Sequence, residues 1–369
     1  MCRLLYEKRK ERCVMKDRHL IDLDDYSIEE ISEILNLADI IMKKPQYFTA
    51  SCSGRVMATL FYEPSTRTQM SFQTAMLRLG GSIIGFDDPG NSSVSKGETL
   101  KDTVRVVSNY ADIIAIRHPL EGSAQAAAMY SRVPVINAGD GGHLHPTQTL
   151  TDLFTLSKTK GTLSGLCIGL CGDLKFGRTV HSLIKTLCRY PDNEFVLIST
   201  KELGLPQYLK DFIVASGHKY SECESLEDAM PSIDVLYMTR IQRERFSSID
   251  EYERQKGVFV LDKEKLKKAK YGLKILHPLP RVDEIAYEVD EDPRAEYFNQ
   301  TEYGMYARMA LILNMLDNGG KKLSSLPESN SDKLCSNEKC ITRRETYLPR
   351  VYKKAFGRSI CKYCEHDNS

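Results

Sequence analysis

The alternation of apolar and polar positions predicts strands and helices that follow one another along most of the chain. Residues 28–44 carry apolar side chains at helical spacing, and residues 55–62 form a short apolar run typical of a buried strand. The same alternation returns with the strand segments SIIGF, DIIAI and PVINA, each followed by a helical pattern. Short buried strands that alternate with helices predict βαβ units in a parallel sheet covered on both faces.

A second series of the same kind begins at residue 166 with the strand segment LCIGLCG and continues with FVLIST, DVLYM and KILHPL. The small, polar segment 158–165 separates the two series and is typical of a domain junction. The chain has 369 residues, which is too many for one compact core. We therefore predict an α/β fold with two doubly wound parallel-sheet domains.

Changes in the pattern also predict the domain boundaries. The first 18 residues carry seven basic and three acidic side chains and are typical of a solvated extension, with a nucleic-acid-binding arm as the less favoured alternative. The last apolar helix, at about 295–316, is followed by a linker rich in Gly, Ser and Lys, and we expect this helix to pack back on the first domain. The predicted order is an extension (1–17), a first domain (18–160), a second domain (161–318), a linker (319–334) and a small tail domain (335–369).

The charge balance and the apolar runs exclude several classes of protein. The chain has 51 basic and 50 acidic residues, so its bulk charge does not hold it to nucleic acid. No apolar run approaches the roughly 18 residues of a membrane span, and the first residues lack the apolar run of a secretory leader. We expect a cytoplasmic protein with reduced thiols and no membrane partner.

The cysteines are unevenly placed, because four of the 11 lie within the last 35 positions. Cys335 and Cys340 form one close pair, and Cys361 and Cys364 form a second pair after 20 intervening residues. Four thiolates satisfy tetrahedral zinc, and so short a tail has no apolar core of its own. We predict a small C-terminal zinc ribbon held by these four cysteines. Two disulfides or unligated cysteines are the alternatives, and His366 could substitute for one ligand.

The segment FYEPSTRT predicts an anion site. Pro64 ends a strand and residues 65–68 begin a helix, so backbone N–H groups, three hydroxyl groups and the guanidinium of Arg67 meet at the positive end of the helix. An ordinary N-cap beside an exposed arginine is the alternative. Arg117 and His145 follow two further strands, and His145 lies in a Gly-rich segment that allows close approach of the backbone to a ligand. Three such strand ends predict one polar cleft.

Seven motifs, taken together, resemble the catalytic chains of the aspartate carbamoyltransferase family. They are FYEPSTRT, SSVSKGETLKDT, IRHP, HPTQTLTDLFT, GDLKFGRTVHSL, YMTRIQRER and HPLPRVDEI, in this order over roughly residues 18–318. The resemblance implies transfer of the carbamoyl group of carbamoyl phosphate to L-aspartate, which gives N-carbamoyl-L-aspartate and phosphate in de novo pyrimidine biosynthesis. It also implies that the first domain binds carbamoyl phosphate, that the second binds aspartate, and that catalysis needs no cofactor.

The same resemblance implies roles for individual residues. The catalytic residues would be Arg67, Thr68, Arg117, His145 and Gln148. Carbamoyl phosphate would be bound by Ser65, Thr66, Arg67, Thr68, Arg117, His145, Gln148, Leu279 and Pro280, with Ser93 and Lys96 contributed by the neighbouring subunit. Aspartate would be bound by Lys96, Arg178, Arg240 and Gln242. Sites shared between subunits imply a homotrimer.

The residue types agree with this chemistry, because both substrates are anions and Arg suits planar carboxylates. The nearest alternative is a carbamoyltransferase that acts on another amino acid, with ornithine as the clearest case. An ornithine enzyme of the superfamily should carry Cys at the position of Leu279, and Arg240 would repel a cationic substrate. A pseudoenzyme scaffold is the third possibility, and the expected residue type at each matched position argues against it.

The tail resembles the zinc domain of the regulatory chain of aspartate carbamoyltransferase through the stretches CSNEKCIT and CKYCEHD. This resemblance implies a docking or assembly role without the nucleotide-binding part, so we expect no direct response of this chain to ATP or CTP. The tail could contact its own catalytic domain, join neighbouring trimers or mimic a regulatory subunit. From residue 319 onward it holds 11 basic and six acidic residues, so a nucleic-acid-binding module is the alternative, although we do not expect nucleic acid as a partner.

Overall fold

The computed structural model describes residues 19–241, 248–317, 331–355 and 358–369. These residues divide into two compact units: one contains the residues up to Thr147 and from Met305 onward, and the other is Gln148–Gly304. The predicted extension (1–17) and most of the predicted linker lie outside the described residues. No helix in the described ranges is both long and apolar enough to cross a membrane.

The first unit contains a sheet of four parallel strands. Its elements in chain order are α1 (Ile28–Lys43), β1 (Val56–Phe61), α2 (Thr66–Arg78), β2 (Ser82–Phe86), α3 (Leu100–Val107), β3 (Ile113–His118), α4 (Ser123–Tyr130) and β4 (Val135–Asp140). The strand order is β2-β1-β3-β4, so the chain leaves β1 in one direction and later returns to its other side. Met57 of β1 lies beside Ile113, and Phe61 lies beside Arg117.

Local sequence signals explain where these elements begin. At α1, the Ser27 hydroxyl accepts from the Glu30 N–H over 3.2 Å, and the Glu30 carboxylate accepts from the Ser27 N–H over 2.7 Å, which is a capping box. At α3, the Thr99 hydroxyl accepts from the Asp102 N–H over 3.2 Å. All residues of β1 after the first are buried, which agrees with its mostly apolar sequence.

The second unit contains a sheet of five parallel strands in the order β7-β6-β5-β8-β9. The remaining elements up to residue 316 are α5 (Pro146–Lys160), β5 (Cys167–Cys171), α6 (Arg178–Leu187), β6 (Glu194–Ile198), α7 (Gln207–Ala215), β7 (Lys219–Cys223), α8 (Leu226–Ala229), β8 (Val235–Met238), α9 (Ile249–Gln255), α10 (Lys263–Leu266), β9 (Lys274–Leu276) and α11 (Asn299–Leu316). The order again places later strands on both sides of the first one, β5.

The predicted α/β fold with two parallel sheets is confirmed, and eight of the nine strands in these sheets fall on predicted apolar segments. The exception is the edge strand β7, whose sequence is KYSEC. Its residues are exposed or half-buried. A strand of this kind lacks the apolar run that marks buried strands, so the sequence pattern misses it.

The tail is a small metal-ribbon fold with one antiparallel hairpin of β10 (Tyr352–Ala355) and β11 (Arg358–Cys361). It belongs to the first unit. The four tail cysteines form one continuous apolar cluster with buried residues of β1, α3, β3 and α4. The tail therefore shares a hydrophobic core with the sheet domain of its own chain.

Candidate active site and metal centre

The polar groups of the first unit lie beyond the carboxyl ends of adjacent strands. Residues 65–68 follow β1, Arg117 lies near the end of β3, and His145 follows β4. β1 and β3 are neighbours that flank the point where the strand order reverses, which is where open α/β sheets bind ligands. Ser65 is the N-cap of α2 and its side chain makes no capping hydrogen bond. The hydroxyl groups and the N-terminus of α2 can therefore receive an anion.

Arg117 is held by a residue that the sequence analysis did not single out. Its Nη2 donates to Glu63 Oε1 over 2.6 Å, and its side chain is only 11% exposed. Its Nη1 lies 3.5 Å from the carbonyl oxygen of Ala138. A buried guanidinium needs a counter-charge to stay in place, and Glu63 supplies it from the same segment that begins α2. Glu63 is part of the motif FYEPSTRT, but nothing in the sequence indicates that it pairs with Arg117, 54 positions further on.

A tight loop from Asp140 to Leu144 leads to His145. Asp140 Oδ1 accepts from the Leu144 N–H over 3.0 Å, and Oδ2 accepts from the Gly122 N–H over 2.9 Å. His143 Nδ1 lies 3.1 Å from the same Oδ2. Burial disfavours the charged imidazole, but the carboxylates of Asp140 and Glu365 outweigh that effect and raise the pKa of His143 to about 10. Asp140 thus organises the loop that carries His145.

The second unit repeats the arrangement at its own sheet. Arg178 follows β5 as the first residue of α6, and Arg240 follows β8. Leu279 and Pro280 follow β9, and the peptide bond between them is cis. β5, β8 and β9 are consecutive in the sheet, and the strand order reverses between β5 and β8. Gln242 lies outside the described residues.

Gln148 is oriented by a buried carboxylate. Its Nε2 donates to Asp152 Oδ1 over 2.7 Å, so its carbonyl oxygen remains the acceptor. Gln300 Nε2 donates to the same Oδ1 over 2.6 Å, and the Tyr237 hydroxyl donates to Oδ2 over 3.0 Å. Asp152 is completely buried, and burial raises the pKa of Tyr237 well above its usual value. This network fixes the direction of the Gln148 amide.

The loop that contains Leu279 is also fixed from within. The Leu279 N–H donates to His277 Nδ1 over 2.7 Å, and His277 Nε2 lies 2.7 Å from Glu284 Oε1. Glu284 Oε2 accepts from the N–H groups of Val282 and Asp283. Burial raises the pKa of Glu284, but the hydrogen bond from His277 outweighs it, so the pKa lies below its usual value. The backbone of Leu279 therefore has one defined direction.

Ser93 and Lys96 lie apart from these strand ends along the chain. They are the first and last residues of a 3₁₀ turn, and both are exposed. Ser92 caps this turn through its hydroxyl, which accepts from the Val94 N–H. Exposure leaves both side chains accessible to another molecule.

The four tail cysteines form a group that could hold a metal ion. All four are buried, and their Sγ atoms lie within 4.8 Å of one another. Two of the separations are 3.6 Å (Cys335 to Cys364) and 3.9 Å (Cys340 to Cys361). Tetrahedral zinc bound through Zn–S bonds of about 2.3 Å places its sulfur ligands about 3.8 Å apart, so the donor set fits. His366 is exposed and lies outside this group.

The tail contacts the sheet domain through a continuous set of hydrogen bonds. The N–H of Glu121 donates to the carbonyl of Lys339, and the N–H of Ile341 donates to the carbonyl of Glu121, both over 2.9 Å. The Glu121 carboxylate accepts from Asn337 over 2.6 Å. Tyr363 is buried against α4, with its hydroxyl 3.4 Å from the sulfur of Met129. The ring of Tyr363 therefore packs against the sheet domain.

These observations define a two-sheet α/β protein with cationic side chains at the carboxyl ends of both sheets. The family model of the carbamoyl-P binding domain of aspartate/ornithine carbamoyltransferases matches residues 18–158. The model of the Asp/Orn binding domain of the same family matches residues 164–315. The chain belongs to the aspartate/ornithine carbamoyltransferase family.

Individual relatives agree with the family models. An aspartate carbamoyltransferase catalytic subunit of Clostridium perfringens is 60% identical over 304 residues, which are 82% of this chain and 99% of that protein. The corresponding protein of Clostridium kluyveri is 58% identical over 303 residues, with the same coverage. The catalytic subunit of M. jannaschii aspartate transcarbamoylase has a TM-score of 0.78 at 48% identity and covers 82% of this chain and 99% of its own.

A solved structure with a ligand lies in the same group. Aspartate transcarbamoylase from Trypanosoma cruzi, in complex with N-(phosphonacetyl)-L-aspartic acid, has a TM-score of 0.76 at 37% identity and covers 81% of this chain and 95% of its own. The family models end at residue 315, so the cysteine-bearing tail lies beyond the region that they match.

Proposed function

We propose that this chain transfers the carbamoyl group of carbamoyl phosphate to the amine of L-aspartate. The observation that carries the proposal is the placement of Arg67, Arg117, Arg178 and Arg240 at the carboxyl ends of the two sheets, in a chain 58–60% identical to aspartate carbamoyltransferase catalytic subunits along 99% of their length. Both substrates are anions, and these residues are cations. The products are N-carbamoyl-L-aspartate and phosphate.

Carbamoyl phosphate is bound mainly by residues of the first unit, and Gln148, Leu279 and Pro280 of the second unit add further contacts. The phosphate lies at the N-terminus of α2, where Ser65, Thr66 and Thr68 offer hydroxyl and backbone donors and Arg67 offers a guanidinium. Arg117 and His145 donate to the carbamoyl carbonyl oxygen. Gln148 accepts from the carbamoyl amino group, because its Nε2 is already bonded to Asp152. The backbone of Leu279 and Pro280 completes the contacts to the substrates.

In the reaction, the aspartate nitrogen forms a bond to the carbamoyl carbon and the bond from that carbon to the phosphate oxygen breaks. The tetrahedral intermediate carries an oxyanion, which Thr68, Arg117 and His145 stabilise with preorganised donors. The proton of the attacking amine leaves with the phosphate. Positioning two small substrates together contributes up to about 7–11 kcal/mol to the acceleration, so no side-chain nucleophile is required.

The second unit selects aspartate. Arg178 and Arg240 bind the two carboxylates, Gln242 is assigned to aspartate binding as well, and Lys96 contacts both substrates from a neighbouring subunit. Ser93 comes from the same exposed turn as Lys96. A homotrimer with shared sites follows from this assignment. The tail binds one structural zinc ion through Cys335, Cys340, Cys361 and Cys364, which suits a reducing compartment such as the cytoplasm.

The test measures carbamoylated product from carbamoyl phosphate with L-aspartate and, separately, with L-ornithine. Turnover with aspartate and none with ornithine is expected. Arg240→Gln should raise the KM for aspartate by at least about tenfold, since it removes one charged contact to a carboxylate. The matched control is Arg189→Gln in the same unit. Arg189 lies after the end of α6, and its substitution should leave kcat and the KM for aspartate unchanged. Faster turnover with ornithine would refute the assignment of the substrate.

A further inference from the structure

The loop that carries His145 is supported by the tail at two points. Asp140 begins that loop, and its Oδ2 lies within hydrogen-bond distance of two donors, the Gly122 N–H at 2.9 Å and His143 Nδ1 at 3.1 Å. Each of these two groups also touches the tail. Gly122 packs against Tyr363, and His143 faces Glu365.

The contact at Gly122 is a close approach of two backbones. A Cβ atom at this position would lie 2.5 Å from the Tyr363 Cβ and 2.8 Å from the Tyr363 carbonyl oxygen. Gly122 has a φ of 83°, which side chains disfavour. The preceding residue, Glu121, pairs with the tail backbone on both sides through its N–H and its carbonyl. The tail therefore determines where the Gly122 N–H points.

The contact at His143 brings the carboxylate of Glu365, the residue after Cys364, next to the loop. His143 Nε2 lies 3.7 Å from Glu365 Oε2, and the imidazole is only 10% exposed. Glu365 follows Cys364 directly, and its N–H donates to the carbonyl of Cys361 over 3.0 Å. The position of the Glu365 backbone is thus set by the turn that holds two of the four cysteines.

We propose that Glu365 is a positioning residue for the active-site loop, because the docked tail holds His143 against Asp140 and thereby fixes the direction of His145. This inference deepens the proposed function and rests on it for the role of His145. Its physical basis is that a catalytic donor on a loop must be held by a supporting shell, since an error of 1 Å can reduce the rate by about a hundredfold.

The experiment compares Glu365→Gln with Glu345→Gln. Glu345 is a matched control, because it also crosses the interface between tail and sheet domain, where its carboxylate accepts from the Leu100 N–H over 3.1 Å, away from the loop. We expect Glu365→Gln to lower kcat on the order of tenfold with little change in the KM for aspartate. Glu345→Gln should leave kcat unchanged.

A double-variant cycle tests whether the effect passes through His143. In a His143→Gln background, Glu365→Gln should have no further effect on kcat, since the partner of the carboxylate is gone. Independent, additive losses would overturn the proposal. Equal losses in Glu365→Gln and Glu345→Gln would also overturn it, since they would indicate general weakening of the interface.

Hydrogen–deuterium exchange supplies a readout that does not depend on the reaction. The amides of residues 141–145 should exchange several-fold faster in Glu365→Gln than in Glu345→Gln, and equally fast in Glu365→Gln and in the full chain after removal of its metal. Unchanged exchange in Glu365→Gln would overturn the positioning role even if the enzyme uses aspartate. Faster exchange in a chain that does not carbamoylate aspartate would instead refute the proposed function alone.

Discussion

The side-chain amide of Gln148 donates to the buried carboxylate of Asp152 over 2.7 Å, and this contact decides which end of the amide faces away from Asp152. Asp152 also accepts from Gln300 and Tyr237. Three donors from separate parts of the second unit therefore meet at one carboxylate. In the proposed reaction, the direction of the Gln148 carbonyl determines whether it can accept from the carbamoyl amino group.

Asp152→Asn should reduce kcat/KM for carbamoyl phosphate by about tenfold or more, because an Asn side chain offers a donor where an acceptor is required. The KM for aspartate should change little. Stability should fall by about 1–3 kcal/mol, since buried groups lose partners. Tyr237→Phe is the control, because it removes one bond to Asp152 without touching Gln148. Equal kinetic losses in both variants would contradict the assigned role.

Glu63→Gln should lower kcat/KM by about tenfold or more, because it removes the counter-charge that holds the buried Arg117. The matched control is Asp112→Asn at the opposite ends of the same two strands, where Arg55 pairs with Asp112 over 2.6 Å. That pair is half exposed, so its loss should cost at most about 1 kcal/mol of stability and no activity. Steady-state kinetics measure the loss of activity in each variant, and thermal melts measure the loss of stability. An inactive Asp112→Asn would contradict the prediction that only the ion pair at the carboxyl ends of the strands supports activity.

Co-expression of Lys96→Gln with Arg178→Gln should restore activity that neither variant has alone. If each site takes Lys96 from one subunit and Arg178 from the next, about one quarter of all sites are intact when the two variants assemble at random into trimers. Co-expression of Arg178→Gln with Arg240→Gln is the control and should give no more activity than the two variants expressed separately, since the same subunit supplies both residues to a site. Absence of activity from the first pair would refute shared sites.

Cys340→Ser should abolish metal binding, because three thiolates remain at a four-ligand site. Elemental analysis should find one zinc ion per wild-type chain and none in the variant. Cys167→Ser is the control, since Cys167 lies in β5 and does not belong to the four-cysteine cluster, and it should keep the zinc. The melting temperature of Cys340→Ser should fall, because the tail shares the core of the first unit. Zinc retained by Cys340→Ser would refute the ligand set.

The stability of the chain should fall as the pH drops below about 6.5, partly because of His118. Burial lowers the pKa of His118 to about 4, so the unfolded chain takes up this proton first and unfolding is favoured between pH 6.5 and 4. The Leu120 N–H donates to His118 Nδ1 over 3.0 Å, which requires an unprotonated nitrogen. The contribution lost between pH 7 and 5 is about 2 kcal/mol. His118→Asn, which does not titrate, should lose less stability over this range in chemical denaturation, and parallel curves would contradict this.

The sequence predicted the local elements well because each strand and helix carries its own period. Eight of the nine strands of the two sheets lie on apolar segments, and the cationic residues lie at the ends of those strands or within a few residues after them. Parallel strands bring their carboxyl ends to one edge, so the side chains that follow them were expected there. The close cysteine pairs were also readable from spacing alone. The contacts between residues far apart in the sequence could not be predicted in this way.

The supporting residues became visible only in the folded chain. Glu63 reaches Arg117 across 54 positions, and Gln300 reaches Asp152 across 148 positions. No local period marks such pairs, because each member is an ordinary polar residue in its own segment. The edge strand β7 was also missed, because its polar, partly exposed sequence lacks the apolar run by which buried strands are predicted.

The tail shows this division most clearly. The spacing of four cysteines by itself predicted a small ribbon with a metal-binding cluster, because so short a segment has no apolar core of its own. The four buried cysteines do form such a cluster. Which surface the ribbon contacts was decided by tertiary structure alone. The backbone of Glu121 pairs with the tail, and Glu365 faces His143, although more than 200 residues separate each pair. Such contacts depend on complementary surfaces that exist only after both parts have folded.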